Sequence, residues 1–136
     1  MSAYMWLLLG GVGVAIVSLL AKRRSFRKLP DLGDGEFVSI YKQRFDGDGT
    51  AVIRERKFVA KILGVPHRKL RPDHRFKELS NLHFDVGYEV GMSDLEDILI
   101  ELRQRAGIKE PLAFPATVGE LIFALVTLRS KLDDEE

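Results

Sequence analysis

The chain has 136 residues, a formal net charge of +1 and no cysteine. That length leaves room for one ordinary domain and a short appendage, since domains usually hold about 100–150 residues. The missing cysteine excludes disulfides, thiolate zinc sites, cysteine nucleophiles and palmitoyl anchors.

The N-terminal stretch differs sharply from the rest. No side chain from Ser2 to Ala21 is charged, and the run AYMWLLLGGVGVAIVSLLA over 3–21 reaches about 29 Å as a helix, enough to cross a bilayer. Tyr4 and Trp6 stand at one end, and Lys22, Arg23, Arg24, Arg27 and Lys28 crowd the other. Aromatic rings suit the headgroup level and cations mark the cytoplasmic side, so residues 1–21 are expected to be a single-pass transmembrane anchor in contact with lipid, its N-terminus outside and the remainder cytoplasmic. A cleavable signal peptide is the competing reading, but its basic residues would precede the apolar run instead of following it. Gly11 and Ala15 have the small-xxx-small spacing that lets two membrane helices pack as a homodimer, a spacing that ordinary membrane-helix composition also produces.

Residues 22–35 are basic and then rich in Gly, Pro and Asp, as expected of a juxtamembrane linker whose cations meet anionic headgroups. A helical domain is expected over 36–130. Phe37, Ile40, Tyr41 and Phe45 recur at helical spacing from Glu36 to Phe45, and the DGDG run at 46–49 breaks that helix. Thr50 is placed to cap a second helix running to Leu63, with Val52, Val59, Ile62 and Leu63 on one stripe and Gly64 as its stop. Residues 66–92 read as a long irregular connection, within which HFDVGYEV could form an extended piece.

Ser93 and Glu96 make an S-x-x-E capping box, predicting a helix from Ser93 that continues through Leu95, Ile98, Leu99, Leu102 and Ala106 and stops at Gly107. A second box, Thr117 to Glu120, opens a last helix through Leu121, Ile122, Leu125 and Leu128 to about Ser130. The acidic tail, 131–136, is expected to be disordered. Val59, Ile62, Phe76, Ile98, Leu102, Ile108, Leu121 and Leu125 are expected to share one core. The fold class is therefore all-α, a transmembrane helix followed by a small helical bundle. His67, His74 and His83, with Asp73 and Asp85 nearby, have spacings that match no short ligand pattern, so no metal site is expected.

From about Arg56 to Leu128 the order of features resembles an acyl carrier protein. The residues that carry the resemblance are Leu63-Gly64-Val65, Pro72 with Phe76, Ala106-Gly107-Ile108, and Thr117-Val118-Gly119-Glu120-Leu121. The resemblance implies a helical bundle whose acidic second helix docks partner proteins. It also implies a 4′-phosphopantetheine arm on a serine at the start of that helix, for which Met92-Ser93-Asp94-Leu95 is the nearest match. The match departs there: the family's aspartate before the serine is absent, the leucine follows one residue late, and the preceding loop is longer.

Charge is segregated. From Arg54 to Lys77 basic residues dominate, whereas Glu78 to Leu102 holds seven acids and no Lys or Arg. Two solvated faces that partly pair with each other are one reading. The sharper one makes Asp94, Glu96, Asp97 and Glu101 a partner-binding surface and leans the basic side on headgroups or a partner. Near-zero net charge and the lack of a recognition motif argue against nucleic acid. No phosphate-cradling loop or nucleophile–base signature points to an enzyme. The expected function is a membrane-anchored, non-enzymatic interaction module without a cofactor. The alternative is a membrane-tethered acyl or peptidyl carrier modified by phosphopantetheine on Ser93, and a third class is a scaffold whose output is the membrane helix itself.

Overall fold

The computed structural model describes residues 5, 7, 9–14, 28–82 and 86–135. Among the described residues from 28 onward, five α-helices follow in order: α1 (Asp34–Lys42), α2 (Gly49–Leu63), α3 (Phe76–Leu82), α4 (Val86–Arg105) and α5 (Val118–Asp134). A 3-10 turn, His67–Lys69, follows α2, and the only bridge among the described residues pairs Arg75 with Thr117. Residues 9–14 are also helical, with Leu9, Val12 and Val14 exposed. Of the expected span, residues 3, 4, 6, 8 and 15–21, Ala15 among them, lie outside the described residues, as do 22–27 of the cationic flank. Among the described residues no helix is long and apolar enough to cross a membrane.

The core forms where α2, α4 and α5 pack on one another. Val59, Phe76, Leu102, Leu121 and Leu125 are buried in it, as expected, while Ile62, Ile98 and Ile108 pack half-buried at its edge. Both predicted glycine stops hold: Gly64 (φ 70°) and Gly107 (φ 76°) adopt the left-handed conformation that a side chain would strain. The amide of Val65 donates to the Ala60 carbonyl at 3.0 Å and that of Ile108 to Arg103 at 2.9 Å, closing each helix in the same way.

At the helix starts the expectations meet different fates. Thr117 Oγ1 accepts from the Glu120 amide at 3.2 Å, as its capping box predicts, and Glu120 reaches back to accept from the amide of Ala116 at 3.0 Å. Helix α2 is capped by Asp48, whose carboxylate accepts from the Thr50 amide at 3.2 Å, so the cap lies two residues ahead of the expected Thr50. The box at Ser93 does not exist, because α4 starts at Val86 and Ser93 stands inside it. The expected irregular stretch 66–92 accordingly contains the 3-10 turn, α3 and the first turns of α4, and Val86–Val90 is helical instead of extended. The acidic tail is also helical through Asp134, where Leu132 carries the packing of α5 one turn further and Lys131 reaches the Ala106 carbonyl at 3.3 Å.

One buried cation ties the N-terminal segment to this core. Arg56 is fully buried, its guanidinium 4.3 Å above the Phe37 ring, and it donates to Asp34 Oδ1 at 2.9 Å, the Leu32 carbonyl at 2.8 Å and the Leu70 carbonyl at 3.0 Å. Asp34 is thereby held, and α1 starts there and not at Glu36, with the Phe37 amide donating to the Gly33 carbonyl at 2.9 Å. Lys69 adds a bond to the Leu29 carbonyl at 2.6 Å and a pair with Asp31 at 2.7 Å. Residues 29–35, within the stretch read as linker, therefore lie against the domain. Replacing Arg56 with Met strands two carbonyls and an acid, so it should cost about 3–5 kcal/mol in urea unfolding. Arg56→Lys should recover little, because one ammonium cannot span the three acceptors that the planar fork reaches. A loss below about 1 kcal/mol for Arg56→Met, the scale of an ordinary substitution, would show that this tie is dispensable.

Candidate functional site

The surface that sequence analysis singled out belongs to α4, and its geometry follows from how that helix is seated. Tyr88, Gly91, Leu95, Leu99 and Leu102, spaced by three or four residues, form its buried stripe. The Tyr88 hydroxyl donates to the Phe76 carbonyl at 3.2 Å, joining the first turn of α4 to α3. Gly91 lets the backbone of α2 come close, since a Cβ there would collide with the Ile62 carbonyl and lie 3.1 Å from Leu63 Cα. Only glycine fits that crossing.

The opposite side of α4 is open. Val86, Val90 and Ile100 are exposed there, at 75%, 54% and 37%. Asp94, Asp97 and Glu101 follow one another at spacings of three and four on the same side, and Glu96 lies at its flank near Ile100. All four predicted partner-binding acids are exposed, and none forms an ion pair with a described residue. Ser93 is exposed between Val90 and Asp97 on this face, two turns beyond the start of the helix. Sequence analysis thus found the acids and missed the valines. Their signal was the helical spacing of Tyr88, Gly91 and Leu95, which the reading of 66–92 as an irregular connection passed over.

A second feature, unforeseen from sequence, lies where α2, α4 and α5 meet. A cleft of about 390 Å³ is lined by Arg54, Glu55, Phe58, Leu102, Arg105 and Arg129, among others. Glu55 is 1% exposed; its Oε1 lies 2.8 Å from Arg129 Nε and 3.5 Å from Arg54 Nε, while its Oε2 has no hydrogen-bond partner. Arg129 also sits 4.8 Å from the centre of the Phe58 ring. Burial pushes the Glu55 carboxyl above its ordinary value of 4.5, against the pull of Arg129 and Arg54. Nothing in the basic run around Glu55 marks it as buried.

Of the three histidines, His74 accepts from the Arg71 amide at Nδ1 (3.1 Å), and burial lowers its pKa despite Asp73. His83 and Asp85 lie outside the described residues. Among the described residues, no three His, Cys, Asp or Glu side chains come together as metal ligands would. No family model, curated protein or solved structure matches the chain.

The Glu55 geometry generates a pH test. A folded-state pKa raised above the unfolded value means that the native chain holds the proton more tightly, so this contribution to stability is present below 4.5 and is lost as pH rises through the folded value. Glu55→Gln, which cannot ionise, should therefore gain stability relative to the natural chain as pH rises from 4.5 toward neutrality. Urea unfolding of both proteins across that range checks it, and a difference that runs the other way would show that the arginines outweigh burial.

Proposed function

We propose that this chain is a membrane-anchored, non-enzymatic interaction module with an acyl-carrier-like helical bundle, which docks a partner protein through the outer face of α4. The observation that carries this reading is the exposed Val86, Val90 and Ile100 set among acids that form no ion pair with a described residue. Apolar side chains give such a face contact area, and the unpaired acids select a basic partner and orient it. The left-handed turns at Gly64 and Gly107 and the capped start at Thr117 support the carrier-like arrangement, since they fall where the resemblance puts its turns.

Membrane attachment rests on the apolar run 3–21 and the five cations within 22–28. Single cysteines at Ser2 and Ser130 in this cysteine-free chain test the topology with an impermeant thiol reagent on intact cells. Ser2→Cys should label and Ser130→Cys, exposed on α5, should not. The reverse pattern would invert the orientation.

A working carrier that presents a thioester-linked group from Ser93 is the second reading, supported by the exposure of that serine on the acidic face. Its position inside α4 favours the first, because a swinging arm leaves a carrier from the start of its helix. Co-expression with a broad-specificity phosphopantetheinyl transferase, followed by intact-mass measurement, should return only unmodified chain. An adduct that disappears in Ser93→Ala would make this protein a membrane-bound carrier.

A further inference from the structure

We propose that the side of the domain formed by Lys28, Arg68 and Lys69 is a docking surface for an anionic lipid bilayer, so that the domain rests on the membrane in one orientation. The inference rests on the anchor reading above, and its geometry comes from the tie at the N-terminal segment. Lys69 holds the Leu29 carbonyl at 2.6 Å, and the Leu32 amide donates to the Arg68 carbonyl at 2.7 Å. The point at which the chain leaves the domain toward the apolar run is therefore fixed beside the 3-10 turn. Residues 22–28 separate that point from the run, and seven residues span at most about 25 Å even when fully extended. The turn is thus held near any bilayer that the run occupies.

What stands at that point is cationic. Lys28 and Arg68 are exposed, and the nearby Asp31 is matched by Lys69 at 2.7 Å. An anionic surface attracts cations within a Debye length, so this side is drawn onto such a bilayer, a pull that a neutral one lacks. Asp97, exposed on the outer face of α4, gives a second position from which a single resting orientation can be told from an indiscriminate one.

The test uses the full-length chain in vesicles of phosphatidylcholine alone or mixed with phosphatidylglycerol. A fluorophore on His67→Cys reports beside Arg68, a second on Asp97→Cys reports from α4, and lipids with headgroup-bound quenchers read proximity. Quenching at position 67 should be stronger in the mixed vesicles, and position 97 should stay unquenched in both. Lys28→Glu with Arg68→Glu should bring position 67 down to its level on phosphatidylcholine, since each cation at an anionic surface shifts a docking equilibrium by roughly five-fold. Both side chains are exposed, and a thermal melt of the double variant verifies that the fold is kept. Quenching at 67 that ignores phosphatidylglycerol or the charge reversal, or that is matched at 97, overturns the proposal. Failure of the anchor reading is seen separately, as chain that does not float with phosphatidylcholine vesicles; the mixed vesicles still report whether position 67 faces lipid.

Discussion

A guanidinium cannot be left unpaired inside a small helical domain, and that constraint organises the N-terminal half of this one. Arg56 finds its partners in Leu32, Asp34 and Leu70, none of which lies on its own helix. Satisfying the cation therefore means bringing the entering chain and the segment after the 3-10 turn to the same side of α2. Phe37 closes the site from α1. A hydrophobic residue in that place would ask nothing of the entering chain, leaving the bonds from Lys69 and between Leu32 and Arg68 to place it. Compared with an apolar replacement of the whole cluster the buried charge adds little net stability, but it helps fix where residues 29–35 run.

Glu55 and Arg56 are neighbours in α2 and so point about 100° apart around the helix. Arg56 faces the entering chain, and Glu55 faces α5 and Arg129. Two consecutive charged residues thus tie α2 to different neighbours, each buried and each with a polar atom unsatisfied: Nε of Arg56 and Oε2 of Glu55. Apolar packing joins the third side, where Gly91 brings α4 onto the end of α2. The same device recurs at Gly119, where a Cβ would lie 2.8 Å from the Pro72 carbonyl, so the start of α5 can press against the loop ahead of α3.

These long-range contacts also explain which parts of the fold were legible in the sequence. Helix ends set by local chemistry could be read directly, as at Gly64, Gly107 and the Thr117–Glu120 box, because their signals lie within a few residues. The start of α4 could not, since 66–92 read as an irregular connection and the reason for Gly91 is the backbone of α2. The S-x-x-E pattern at Ser93 supplied a plausible start and masked the helical spacing already running through Tyr88. Arg56 and Glu55 were invisible for a related reason: sequence displays charge but not burial, and both sit in a run of surface-like basic residues. Asp34 was read as part of the Gly-, Pro- and Asp-rich linker because its partner lies twenty-two residues away. The acids of α4, being exposed, needed no tertiary information to be found.

The longer α4 changes what its acidic face can do. Had the helix begun at Ser93, its exposed side would have been a row of carboxylates beside a helix start, a surface that steers partners but offers little area to hold them. With two more turns, Val86 and Val90 precede the acids and Ile100 lies among them. A partner that covers this face removes apolar area from water at about 25 cal/mol per Å² while meeting charge along its rim. The turns that give the face its apolar contacts also move Ser93 away from the helix end, where a tethered arm would have had the most freedom. The geometry that favours the proposed docking surface on α4 is thus the same geometry that argues against Ser93 as an attachment point.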